Sequence, residues 1–373
     1  MSTCPFDERR LERAWQLLAA WVAEDRTRAA AGVVGGSDWQ SEVSAHGRLR
    51  DGDDAPPIEH DTIFLMASPS KPVSALAVML LAERGLVRLN DPIQRYVPEF
   101  HGGGKRKITL RNCLTHTSGL PDMLPNNNEL REQHAPLADF VRGTCGVELL
   151  FKPGTETRYQ SMGLLMLGEV VRVVSGKRLG EFLRDEVFLP LQMHDTVLGM
   201  TDDWHEPDAS GRRRVDRIAE VRVAADKPAM WQLWNSEYWR RQGAPWGGLL
   251  STCGDWARLC RHLLGIHRGQ AGVISPTTLA AMTANQLEYF AELPEDRRRT
   301  QPWGFGWQLN WPAHPTTFGD FLSPRSYGHW GMVGTLVWLD PVLDLFGVAL
   351  TTEPLDDRRY HSEWTNAVTG AVR

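Results

Sequence analysis

The first apolar positions of the chain recur at helical spacing. Leu11, Trp15, Leu18 and Trp21 fall on one face of a helix predicted over residues 8–24, with charges on the other face. Residues 30–36 and 42–48 read as short strands, and Gly35-Gly36-Ser37-Asp38 between them is a hairpin signal. Residues 61–68 lead into a strongly apolar helix over 69–84 that Gly85 closes. From about 70 to 265 the pattern is mostly helical, clearest around 137–141, 161–175 and 255–264. The last third returns to β character. Segments 304–311, 327–340 and 343–352 are dense in Trp, Phe, Val and Leu, Asp340-Pro341 marks a corner between strands, and a final helix spans about 360–372.

β-rich ends around a helical centre predict an α+β fold. Both ends join in one antiparallel sheet flanked by helices, with a mainly helical lobe inserted. The chain then forms a single domain over 1–373, the sheet drawn from about 1–60 and 265–373 and the lobe from about 61–264. The least regular stretch, 200–245, reads as a long insertion in that lobe.

Composition narrows the function. Of 373 residues, 42% are hydrophobic and 23% charged, enough for a sizeable core. A net charge of −5 gives no reason to expect nucleic acid or an anionic membrane as partner. The runs Arg212-Arg213-Arg214 and Arg297-Arg298-Arg299 sit among turn formers and read as solvated loops. Cys4, Cys113, Cys145, Cys253 and Cys260 are odd in number and form no CxxC pair, so no disulfide framework is expected. The first residues lack the basic-then-apolar order of a signal peptide and no long uncharged apolar run occurs, so a cytoplasmic location is expected. HExxH, Cys/His clusters and EF-hand loops are absent from the sequence, and no metal or cofactor is expected. Gly102-Gly103-Gly104 lacks the Walker pattern and reads as a loop.

The candidate chemistry lies in Ser68-Pro69-Ser70-Lys71. At a helix start, positions i and i+3 share a face, so Lys71 Nζ can reach Ser68 Oγ. Pro69 and Pro72 are tolerated there, because the first helical N–H groups lack intrahelical partners. The same amides and the positive dipole end would help stabilise the oxyanion that forms on a substrate carbonyl as Ser68 is acylated. By itself the tetrapeptide is weak evidence, because a serine before an apolar helix is usually only an N-cap. Ser70 is a weaker candidate, having no lysine three residues on.

The surrounding blocks extend the pattern. They are Asp61 to Pro72, Leu80-Leu81-Ala82-Glu83-Arg84-Gly85, Leu89-Asn90-Asp91-Pro92 and Ile108-Thr109-Leu110-Arg111. Leu114-Thr115-His116-Thr117-Ser118-Gly119-Leu120, Phe151-Lys152-Pro153-Gly154-Thr155, Gly247 to Thr252, and Gly328-His329-Trp330-Gly331 up to Asp340-Pro341 follow. In this order they resemble the serine β-lactamase-like superfamily, closest to its class C β-lactamase and family VIII esterase branch. The resemblance implies Ser68 as nucleophile, Lys71 as its partner, and Tyr159 as a tyrosine acting with the lysine as general base. It implies a third motif at His329-Trp330-Gly331 on a sheet edge, and an oxyanion hole from the backbone N–H groups of Ser68 and Met332. It leaves His116 as a structural residue in a supporting turn.

Two departures bear on substrate. Lactamases of the family have Tyr-x-Asn where this chain has Tyr159-Gln160-Ser161, and usually Lys-Thr-Gly where this chain has His329-Trp330-Gly331. The first change shortens a side chain that could both donate to and accept from an amide. The second removes a permanent cation from the place where a carboxylate would sit. Both favour small neutral carboxylic esters, cleaved through an acyl-enzyme, with an alcohol or amine replacing water in an acyltransferase variant. A β-lactamase or D-amino-acid peptidase is the alternative, and a non-catalytic ligand-binding relative a third. Of fifteen tryptophans, Trp246 and Trp330 adjoin motif residues and are the expected pocket walls, with Ser161, His329, Gly331 and Met332 as further substrate contacts. Trp231, Trp234 and Trp239 fit a pocket or core packing equally.

Overall fold

The computed structural model describes residues 6–52, 54–227, 229–311, 318–353 and 359–373. Its strands are β1 (Ala29–Gly35), β2 (Ser44–Gly47), β3 (Phe64–Leu65), β4 (Val197–Leu198), β5 (Leu249–Ser251), β6 (Gln308–Leu309), β7 (Tyr327–Trp330), β8 (Leu336–Asp340) and β9 (Leu345–Thr351). The six longest helices among the described residues are α1 (Glu8–Ala23), α2 (Ser70–Glu83), α3 (Leu137–Gly146), α4 (Met162–Ser175), α5 (Cys253–His267) and α6 (Arg359–Thr369).

Strand β1 consists of small and β-branched residues and is buried along its whole length, because both of its faces are covered. Ala30 and Val34 turn toward the cluster that includes Leu18, Trp21 and Trp364 of α1 and α6. Ala29, Ala31 and Val33 turn to the main core with Leu259 and Leu263 of α5. The sheet pairs as β2-β1-β9-β8-β7-β6, and each neighbouring pair of strands in it runs antiparallel. The predicted α+β class with a flanked antiparallel sheet is what the chain forms.

Differences fall where short-range signals are weak. The apolar stretch 327–340 is two strands, because Gly331 and Gly334 turn the chain between them: Gly331 N–H donates to Thr335 O at 2.7 Å, and Gly334 has φ +84°. Of 304–311, only Gln308–Leu309 pairs as a strand. At the corner after β8, the Asp340 carboxylate accepts from Val342 and Leu343 N–H at 2.9 and 3.1 Å, fixing the turn into β9. A small second sheet, β3-β5-β4, was not anticipated. Its strands of two or three residues are too short to show alternation.

Cys113, Cys253 and Cys260 are buried and Cys145 half-buried, all free thiols; Cys4 lies outside the described residues. No helix among the described residues is long and apolar enough to cross a membrane.

Candidate active site

Ser68 lies between the small sheet and α2. Strand β3 pairs with β5, and Met66 N–H continues that pairing to Leu249 O at 2.8 Å. Ala67 then adopts φ +54°, a left-handed conformation costly for a residue with a Cβ. That reversal starts α2 three residues later, at Ser70, leaving Ser68 partly exposed at its mouth. Helix α2 is buried from Ser70 through Leu81, so packing on every side holds it. Ser70 is occupied structurally: its hydroxyl donates to Ala67 O at 2.6 Å and accepts from Leu249 N–H at 3.0 Å. Ser70→Ala is expected to lower the unfolding free energy by about 1–3 kcal/mol, measured as an earlier urea midpoint. A shift under ~0.5 kcal/mol would show that these bonds do not secure the turn.

Lys71 is 1% exposed. Its Nζ donates to Ser68 Oγ at 3.3 Å and to the Trp246 carbonyl at 3.0 Å, and lies 4.5 Å from the centre of the Tyr159 ring. Burial lowers its pKa to about 8, opposed by the nearby Asp122 charge. The amine is therefore poised to titrate near neutrality, as suits a proton acceptor.

Tyr159 and Ser161 enter from the segment before α4. Tyr159 is partly exposed, with His116, Trp303 and His329 around its ring at centroid distances of 4.9, 6.1 and 6.0 Å. Ser161 Oγ donates to Asp122 Oδ1 at 2.6 Å, since an ionised carboxylate only accepts. The Ser161 proton is thus committed.

Strand β7, between β8 and the short edge strand β6, supplies the remaining groups from the end that extends past β6. His329 is 1% exposed, and its Nδ1 lies 2.9 Å from Trp330 O. A carbonyl oxygen can only accept, so Nδ1 carries the proton and Nε2 presents a lone pair. That Nε2 is buried without a hydrogen-bond partner among the described residues. Burial, reinforced by the charge of Lys71, lowers the His329 pKa to about 3, so the ring is neutral. Gly331 lets this edge close on the nucleophile: a Cβ there would collide with the Met66 carbonyl and reach within 3.1 Å of Pro69 Cδ. Thr335 Oγ1 donates to Met66 O at 2.7 Å and pins the turn that carries the exposed Met332.

Two expected pocket walls lie elsewhere. Successive strand residues point to opposite faces, and Trp330 packs against the cluster of α1 and α6 while His329 faces Tyr159 and Trp303. Trp246 is buried in the main core, its ring near Phe140 and Trp239 at 6.1 and 6.4 Å. What it offers Lys71 is its carbonyl. Trp204, Trp234 and Trp239 join the same core, so the aromatics of 200–245 serve packing. A cavity of about 560 Å³ in the helical lobe, with Leu137, Leu165 and Pro245 among its walls, is not lined by Ser68, Lys71 or Tyr159. Asp122, Trp303 and the Trp246 carbonyl had no signal in the sequence, because each reaches the site through tertiary folding from outside the quoted motifs' functional positions.

The chain matches the Beta-lactamase family over residues 16–370 and belongs to it. It is a serine hydrolase of the β-lactamase fold. Protein flp of Staphylococcus aureus is 31% identical over 153 residues, which cover 40% of this chain and 31% of flp, so the matched stretch spans about a third of that relative's length. A Salmonella typhimurium protein named for D-alanyl-D-alanine carboxypeptidase is 26% identical over 79% of this chain and 70% of its own. Among solved structures, EstCE1, a hydrolase with promiscuous acyltransferase activity, superposes with a TM-score of 0.75 at 21% identity, covering 97% of this chain and 99% of its own. A family VIII carboxylesterase does so at 0.74 and 20% identity, covering 100% and 98%. These two likenesses concern the fold.

Proposed function

We propose that the protein hydrolyses small, neutral carboxylic esters through an acyl-enzyme on Ser68. Lys71 takes the Ser68 proton with Tyr159 beside it, and Ser68 Oγ attacks the ester carbonyl. The oxyanion is held by the N–H groups of Ser68 and Met332, the proton passes to the departing alcohol, and water then attacks the acyl-enzyme.

The observation that carries the ester reading is the state of His329. Its ring is neutral, with a lone pair on buried Nε2. It therefore supplies neither a cation nor an N–H from Nε2 for the carboxylate of a β-lactam or peptide. Ser161, its proton given to Asp122, has no donor left for an amide carbonyl. The similarity to the Salmonella carboxypeptidase-named protein favours the second reading, a D-amino-acid peptidase. The same acyl-enzyme passed to an alcohol would make the protein an acyltransferase, as EstCE1 is described.

Parallel kinetics on p-nitrophenyl butyrate, a chromogenic cephalosporin and a D-alanyl-D-alanine peptide separate these readings. The expected kcat/KM for the ester exceeds both others by about 10²-fold or more, since mispaired polar groups at a site discriminate by such factors. Faster turnover of either carboxylate-bearing substrate overturns the ester reading.

A further inference from the structure

His116 is a buried polar residue beside Tyr159 that the mechanism above does not use. It is completely buried and adopts φ +59°, a conformation that a bulky side chain occupies only where the surroundings impose it. It holds the chain on both sides of Tyr159. Its carbonyl accepts from Arg158 N–H at 3.0 Å, and its Nδ1 accepts from Gln160 N–H at 3.3 Å. Its ring lies against Tyr159, with centroids 4.9 Å apart.

The hydrogen bonds also fix the tautomer. A backbone N–H donates to Nδ1, so Nδ1 is unprotonated and the proton of the neutral ring is on Nε2. Nε2 has no hydrogen-bond partner among the described residues. Trp303 stands edge-to-face to the ring, with centroids 4.3 Å apart, which suits an N–H···π contact. Burial, with the charge of Lys71 next, keeps the imidazole neutral by holding its pKa well below the usual histidine value. A protonated ring would have no lone pair for Gln160.

Gln160 is tied down in turn. Its side chain donates to Cys113 O at 3.0 Å and accepts from Gly163 N–H at the start of α4. Tyr159 thus stands between two anchored backbone amides, both anchored on His116.

We infer that His116 is the positioning residue for Tyr159, holding the phenol toward Lys71 through the two backbone amides that flank it. The inference rests on Tyr159 being part of the proton-transfer machinery. A histidine that merely filled the core would need neither the Nδ1 acceptor nor a fixed tautomer.

Asparagine separates these roles. Its Oδ1 occupies the place of Nδ1 as an acceptor and its backbone tolerates positive φ, whereas leucine keeps bulk and loses the acceptor. On p-nitrophenyl butyrate, His116→Asn is expected to keep kcat within about 10-fold of wild type. His116→Leu is expected to lose about 10²-fold or more in kcat with KM little changed, the scale of a misplaced acid–base group. The double variant His116→Leu/Tyr159→Phe is expected to be no slower than Tyr159→Phe alone, because the two act as one unit. Equal kcat for the Asn and Leu variants, or additive losses in the double variant, overturns the inference while leaving the role of Tyr159 intact. If the Leu variant does not fold, an Asn variant as slow as Tyr159→Phe overturns it equally. A Tyr159→Phe protein with wild-type kcat removes the reading of Tyr159 itself, and the inference with it.

Discussion

Ser68→Ala is expected to reduce p-nitrophenyl ester turnover by at least about 10³-fold, without unfolding the protein. Removing a nucleophile abolishes the covalent route and leaves whatever the oxyanion site and binding can do alone. The substitution deletes one partly exposed hydroxyl, and the turn around it is held independently by Ser70 and Thr335. Two measurements decide the matter together. Steady-state kcat should collapse, and intact mass after brief incubation with ester should show an acyl adduct on the wild type alone. Turnover that survives the substitution would sink the acyl-enzyme mechanism. A wild-type protein with neither turnover nor adduct would instead support a non-catalytic binding relative.

The second large effect concerns Lys71. Ester hydrolysis is expected to rise with pH through about 8, where this buried amine loses its proton, and then level off. Stability should respond as well. Below pH 8 native and unfolded chains both carry the ammonium, and the native state bears the full cost of burying it. Between about 8 and the ordinary lysine value of 10.5 the unfolded chain binds the extra proton, so stability rises with pH across that window. Lys71→Met removes this dependence. The unfolding free energy of the wild type minus that of Lys71→Met should therefore increase by an amount on the order of 3 kcal/mol between pH 7.5 and 10.5. Urea midpoints at both pH values, with m-values, test this. A difference that stays flat would mean that Lys71 is solvated and titrates normally.

Much of this arrangement follows from local chemistry. The helix starting near Ser68 was readable because its residues are apolar on every face and Gly85 ends it, and three-residue spacing at its start brings Lys71 Nζ to Ser68 Oγ. The antiparallel sheet was readable from the Val- and Leu-rich runs that became β8 and β9. Other features depend on partners distant in sequence. Nothing near Ser161 announces that its hydroxyl goes to Asp122, thirty-nine residues away. Tryptophans beside motif residues looked like pocket walls, yet strand alternation turns Trp330 to the opposite face from His329, and Trp246 packs inward. The small sheet that aims Ser68 was invisible because β3 and β4 hold two residues each, too few for a pattern with period two.

Lys71 is anchored by a main-chain oxygen, the carbonyl of residue 246. An acceptor of that kind survives any change of side chain at its own position. Random mutagenesis at 246 can thus trade the indole for other bulk, at some expense in core stability, without deleting the oxygen that the amine grips. Selection for new substrates could explore this position more freely than Tyr159 or His329, whose functional atoms belong to the side chains themselves.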